Sequence, residues 1–271
     1  MRLNGLEFHV ESEGAGPALL VLHGFTGSVR AWDDLRAELT SSARVIAIDL
    51  IGHGRSAIPV DVARYTLDWA AADLEALLDA LGLERVDLLG YSMGGRLALH
   101  FALRAPQRLR RLILESASAG IDNPADRQQR ARSDDALASR ILVDGVAAFV
   151  AEWEQVPLLL PAAHVSAQAR AAQHAQRLSN DPLGLANSLR GMGAGQQDPL
   201  WARLPELDLP VYVIVGERDA RYQAIGQRMS TLLPRARLDV VPQAGHTVHL
   251  DQPRAFAALV RWALAEIPSR L

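Results

Sequence analysis

The sequence contains no cysteine and no lysine. Without thiols there is neither a disulfide framework nor a thiolate metal site. Without lysine, all 28 Lys+Arg positions are arginine, so a single arginine is a weak functional signal unless its position is unusual. Aromatic residues are sparse, at 5%. No apolar stretch reaches membrane-span length without an interrupting charge. The opening MRLNGLEFHVESEG has charges where a secretory leader needs an unbroken apolar run, and a cytoplasmic protein is expected. The formal net charge of -3 offers no electrostatic basis for binding nucleic acid or an anionic membrane surface. The expected partner is a small molecule.

What is present suits one large α/β domain carrying an insertion. The 271 residues are 49% hydrophobic and 22% charged, enough apolar material for a sizeable core. Short apolar runs alternate with helical patterns, as in a mostly parallel sheet covered on both faces. An Asn4-Gly5 turn predicts that the first two strands form a hairpin. ALLVLHG (18–24), RVIAIDL (44–50), VDLLGYS (86–92), RLILES (111–116), VYVIVGERD (211–219) and RLDVVPQAGH (237–246) supply six more, eight strands in all. Helical periodicity fills 28–39, 67–81, 93–103, 222–232 and 253–266. Residues 121–201 have helical patterns and no strand run, which predicts a helical cap between the sixth and seventh strands, with 1–120 and 202–271 forming the core.

The sharpest motif is Gly90-Tyr91-Ser92-Met93-Gly94, a G-x-S-x-G between an apolar strand and a helix. That setting is the nucleophile elbow, in which a serine stands at the tip of a strained strand-to-helix turn. Serine needs a base and an orienting acid, expected downstream in the order Ser, Asp/Glu, His. Asp219 ends one strand run and His246 follows the last, and in such sheets the carboxyl ends of the strands share one edge. Glu115, closing RLILES, is the rival acid; Asp219 is preferred for its shorter reach to the histidine loop. The backbone N–H groups of Phe25 and Met93 are the candidate oxyanion hole. His23 and His53 are read as loop-holding residues, and His9, His100, His164 and His174 have no assigned partner. His246-x-x-His249 has too few ligands for a metal site, and Gly191-Met192-Gly193-Ala194-Gly195 follows a helix rather than a strand, so it is no dinucleotide loop. Neither metal nor cofactor is expected. Arg96 lies four residues after Ser92 on the same helix face, where the helix dipole disfavours a cation. Either an anionic ligand or a neighbouring carboxylate accounts for it.

LHGFTGS, DLIGHGRS, GYSMGGRLAL, LESASAGI, RQQRARSD, EWEQVPL, RLSNDPLGLANSLRGMGAGQQDPLW, GERDARY and AGHTVHLDQP together resemble the 2-succinyl-6-hydroxy-2,4-cyclohexadiene-1-carboxylate (SHCHC) synthases of menaquinone biosynthesis. These are cofactor-independent lyases of the α/β-hydrolase fold that eliminate pyruvate from a carboxylate-rich substrate. The resemblance implies a triad of Ser92, Asp219 and His246, with Arg96, Arg130 and Arg177 binding carboxylates and Tyr91 and Trp153 lining the pocket. This sequence departs from the family pattern at Ile51, where proline is usual, at Glu154, where some members have tyrosine, and at Arg221, where lysine is common. The triad alone leaves two alternatives open: a serine hydrolase of esters or carbon-carbon bonds, and a non-catalytic ligand sensor.

Overall fold

The computed structural model describes residues 1–266. Its strands are β1 (Arg2–Leu3), β2 (Leu6–Glu7), β3 (Val10–Glu13), β4 (Ala18–Leu22), β5 (Arg44–Ile48), β6 (Val86–Tyr91), β7 (Leu109–Glu115), β8 (Val211–Gly216) and β9 (Ala236–Val241). The helices are α1 (Asp33–Leu39), α2 (Leu67–Ala80), α3 (Met93–Arg104), α4 (Pro124–Trp153), α5 (Ala167–Leu178), α6 (Pro182–Met192), α7 (Ala220–Leu232), α8 (Val248–Asp251) and α9 (Pro253–Ala265). Seven strands form one sheet in the order β3-β5-β4-β6-β7-β8-β9, parallel throughout except where β3 runs antiparallel to β5.

The interior strands β4 to β8 are buried on both faces, with consecutive side chains pointing to opposite sides of a pleated sheet, while the edge strand β9 is half-exposed. On β4, Leu20 and Leu22 join one core cluster while Leu19 and Val21 join the other. On β8, Val213 and Val215 join the first while Tyr212 and Ile214 join the second. Leu74 and Leu77 of α2, Leu97 of α3 and Met229 of α7 cover the first face. Leu35 and Leu39 of α1 and Phe256 and Val260 of α9 cover the second.

Two sequence expectations are corrected. The hairpin forms, with Asn4 and Gly5 at φ 46° and 86° and Arg2 opposite Glu7, yet it stands apart as a two-stranded ribbon. The antiparallel edge strand of the main sheet is instead β3, which makes nine strands among the described residues rather than eight. Its sequence, VESE, lacks an apolar face because an edge strand is half-wetted. Its polar side chains are used instead: Glu11 pairs with Arg36 and Arg55, and the Ser12 hydroxyl accepts from Arg44.

Between β7 and β8 the chain forms α4, α5 and α6, which have a small apolar cluster of their own around Ile141, Phe149, Val150, Leu185 and Leu189. α4 is interrupted at Gly145, whose φ of 81° and ψ of 170° belong to no helix. Phe25 of the core and Trp153 of α4 both pack on this cluster, so the inserted helices sit over the loop that follows β4. No described helix is long and apolar enough to cross a membrane.

Candidate active site

The site begins with a strained turn. β6 ends at Tyr91, Ser92 takes φ 50° and ψ -107°, and α3 starts at Met93. A positive φ at a residue with a Cβ is costly and persists only where surrounding structure enforces it. The enforcement is close packing. A Cβ on Gly90 would lie 2.4 Å from the Gly94 carbonyl oxygen, and one on Gly94 would lie 2.5 Å from the Leu22 and His23 carbonyl oxygens. The Ser92 N–H donates to the Glu115 carbonyl at 2.9 Å, tying the turn to β7.

Two further strand ends deliver the candidate base and the candidate acid. Asp219, three residues past β8, caps α7 by accepting from the Tyr222 N–H at 3.0 Å. Its other carboxylate oxygen accepts from His246 Nδ1 at 2.8 Å. A carboxylate can only accept, so the proton sits on Nδ1 and leaves Nε2 free to accept from the Ser92 hydroxyl, 3.1 Å away. Asp219 and His246 are 4% and 3% exposed, so this relay is shielded from competing water. The ring of Tyr222 packs on His246 with centroids 4.5 Å apart.

The loop after β4 is held by His23. Its Nδ1 donates to the Gly24 carbonyl at 2.8 Å and its Nε2 accepts from the Leu50 N–H at 3.0 Å. Burial lowers its pKa to about 4, so the ring is neutral at pH 7 and keeps the tautomer these bonds require. The Gly24 carbonyl also accepts from the Gly27 N–H, which closes a tight turn around Phe25. His53 packs at a tilt beside His23, is likewise buried, and bonds the Ile51 carbonyl through Nδ1 at 3.1 Å. His9, His100, His164 and His174 pair with Glu11, Asp68, the Asp251 carbonyl and Glu154.

A cavity of about 760 Å³ opens at Ser92, lined by Phe25, Tyr91, Trp153, Arg177 and His249 among others. The Tyr91 hydroxyl is fixed by Thr247 at 2.8 Å. Phe25, Phe149 and Trp153 pack edge to face and tilted, with centroids 5.4 to 6.1 Å apart, and form an apolar wall. The Arg177 guanidinium donates to Glu154 at 3.0 Å, and Glu154 also binds His174 at 2.9 Å. Arg96 and Arg130 are not part of this lining. Arg130 donates to Asp134 at 2.8 Å. Arg96, 8% exposed, donates to the Met192 carbonyl at 2.8 Å and to Gln197 Oε1 at 3.3 Å. Burial lowers its pKa to about 10, and the charges of Arg130 and Asp134 act on it in opposite senses. It therefore remains a cation at neutral pH, and it does not pair with a carboxylate as one of the two sequence readings required.

Glu115, the rival acid, faces another histidine. Its carboxylate accepts from both the N–H and Nδ1 of His249, at 2.9 and 2.8 Å, and is fully buried. The sequence named both residues without connecting them, and 134 positions separate them. Arg221 is an exposed first-turn residue of α7, and Ile51 is buried in the core.

Known proteins match the chain over nearly its full length. Residues 17–253 match the alpha/beta hydrolase fold family. A Bacillus subtilis protein described as a putative SHCHC synthase is 43% identical over 97% of this chain and 97% of its own length. The SHCHC synthase of Serratia proteamaculans is 34% identical, covering 93% of this chain and 94% of its own. The structure of MenH from S. aureus superposes with a TM-score of 0.90 at 32% identity, over 95% of this chain and 97% of that one. Near-complete coverage in both directions includes the inserted helices as well as the sheet, so the chain belongs to the α/β-hydrolase fold family and, within it, to the SHCHC synthase family.

Proposed function

We infer that the protein is an SHCHC synthase, a lyase that expels pyruvate from 2-succinyl-5-enolpyruvyl-6-hydroxy-3-cyclohexene-1-carboxylate. The observation that carries the reading is the Ser92–His246–Asp219 relay opening on a cavity walled by inserted helices, in a chain that shares those helices with SHCHC synthases over nearly its full length.

The chemistry follows from the relay. His246 accepts the Ser92 proton, and the resulting Ser92 oxygen removes the ring proton next to the succinyl carbonyl. The electrons left behind delocalise onto that carbonyl oxygen, which the Phe25 and Met93 N–H groups stabilise as an oxyanion hole. The ring double bond then shifts, a second one forms, and the bond to the enolpyruvyl oxygen breaks. Enolpyruvate departs as its enolate, His246 gives it the proton taken from Ser92, and the neutral enol tautomerises to pyruvate; the ring proton now on Ser92 restores the resting relay. Tyr91 and Trp153 confine the ring and Arg177, in the cavity lining, binds a carboxylate; Arg96 and Arg130, outside that lining, are assigned the other carboxylates on the family resemblance alone. Arginine suits this task because its planar guanidinium grips a carboxylate through two parallel hydrogen bonds.

Parallel kinetics on the enolpyruvyl substrate and on a neutral aryl ester, without added metal or nucleotide, test the assignment. Stoichiometric pyruvate and poor ester turnover are expected. Efficient ester hydrolysis with an acyl-enzyme burst and no pyruvate would leave the fold standing and assign a serine hydrolase instead. Tight, single-turnover binding would assign a sensor.

A further inference from the structure

Among the described residues, four arginines are at least nine-tenths buried: Arg36, Arg96, Arg111 and Arg177. A buried guanidinium ordinarily takes a carboxylate partner, because desolvation of an unpaired charge is costly. Three of the four have one. Arg36 bonds Glu11 and Asp33, Arg111 lies 3.1 Å from Asp87, and Arg177 donates to Glu154 at 3.0 Å. Arg96 is the exception. Its acceptors are the Met192 carbonyl and Gln197 Oε1, both uncharged. The carboxylate whose field reaches it, Asp134, is already held by Arg130.

Gln197 is itself 1% exposed. Arginine has only donors, so the amide oxygen must face Arg96, and the amide nitrogen must therefore face away. That Nε2 has no hydrogen-bond partner among the described residues. A buried donor without an acceptor is a defect in a purely structural side chain and an asset where an anion is to arrive. The position of Gln197 is well fixed. It lies between α6 and Trp201, on a segment where a Cβ at Gly195 would come 2.3 Å from the Ala131 nitrogen and where the Leu200 N–H donates to the Ala119 carbonyl at 2.7 Å.

We propose that Gln197 is a positioning residue for substrate capture: it orients Arg96 through a neutral acceptor, so that the guanidinium keeps its full charge for a substrate carboxylate to which the Gln197 amide nitrogen adds a further hydrogen bond. The proposal rests on the lyase reading, since it supposes an anionic substrate. A carboxylate in the same place would hold Arg96 at least as firmly and would cancel its charge.

That contrast gives opposite signs to stability and function in the near-isosteric variant Gln197→Glu. Three quantities are measured on parent and variant: the melting temperature, KM and kcat for pyruvate release, and the Kd of 2-succinylbenzoate, an aromatic analogue of the expected product. Gln197→Glu should melt no lower than the parent, while KM and Kd rise by at least about tenfold and kcat moves much less, as expected for loss of one charge-assisted contact. Gln197→Met, which keeps the bulk and removes the polar atoms, should raise KM and Kd by a smaller factor, and it decides the matter if the glutamate variant fails to fold. Parental KM and Kd in the folded variants, or a loss confined to kcat, would overturn the proposal. A parent that releases no pyruvate but binds 2-succinylbenzoate would refute the lyase assignment while leaving Gln197 testable by Kd. A parent that does neither would overturn both.

Discussion

Two histidine–carboxylate pairs lie three residues apart at the carboxyl edge of the sheet, and by the usual measures they are alike. His246 meets Asp219 and His249 meets Glu115 through Nδ1 at 2.8 Å in each case, with both carboxylates buried. They differ in everything beyond that bond. Asp219 spends its second oxygen on the first turn of α7, while His246 presents Nε2 to the Ser92 hydroxyl. Glu115 instead turns back on His249's own backbone N–H, and the His249 ring packs against Trp32 and Tyr91 with centroids 4.8 and 4.9 Å away. A short imidazole–carboxylate contact therefore does not identify a general base. What identifies one is the group waiting at the far nitrogen.

Mutations should separate the pairs sharply. The largest effect is expected from Ser92→Ala, which removes the oxygen at that far nitrogen. Single-turnover kinetics should show a loss of roughly four or more orders of magnitude in kcat with ligand binding retained, and activity within tenfold of the parent would remove Ser92 from the chemistry. Next comes the swap between acids. Asp219→Asn should lower kcat/KM by about 10³ to 10⁴, because an amide favours the wrong imidazole tautomer. Glu115→Gln should keep kcat/KM within about fivefold of the parent and lower stability instead, by roughly 1 to 3 kcal/mol, as a buried hydrogen-bonded charge is lost. Chemical denaturation alongside kinetics reads both, and the reverse ranking would show that Glu115 is the working acid. The smallest loss expected of a substrate contact tests whether the charge of Arg177, shared with Glu154, still serves the substrate. Arg177→Ala should cost about tenfold in kcat/KM, and Arg177→Lys should recover part of it, because an ammonium lacks the planar fork. Unchanged kcat/KM in the alanine variant would make the Arg177–Glu154 pair a structural contact only.

The parts of this site that were legible in the sequence are those announced by strands. VDLLGYS and VYVIVGERD begin with buried strands and RLDVVPQAGH with a half-exposed edge strand, and each leads into one member of the relay, so period and punctuation place Ser92, Asp219 and His246 on one edge before any contact is known. What was hidden depended on pairings across the chain. Arg96 meets Met192 and Gln197 at separations of 96 and 101 residues, and no local pattern records whether a buried arginine will face a carboxylate or an amide. The edge strand β3 escaped because its cues are polar and its contacts, to Arg36, Arg44 and Arg55, are made by neighbours that are themselves unremarkable in sequence. Gly145 escaped because nothing crowds it: no atom lies within 4 Å of where its Cβ would be, so the break in α4 leaves no steric signature in the residues around it.

The turn at Ser92 also bears on how the protein can vary. A serine at φ 50° and ψ -107° carries strain of about 1 to 3 kcal/mol, and it stays there because three glycines, the Leu22 and His23 carbonyls and Ala117 are packed against one another at distances no side chain can enter. None of those glycines has a chemical group to offer the substrate, yet replacing any of them would push on backbone atoms and release the turn. The set of positions closed to substitution is accordingly wider than the set that performs the reaction, and it extends inward from the cavity, through the first turn of α3, into the carboxyl end of β4.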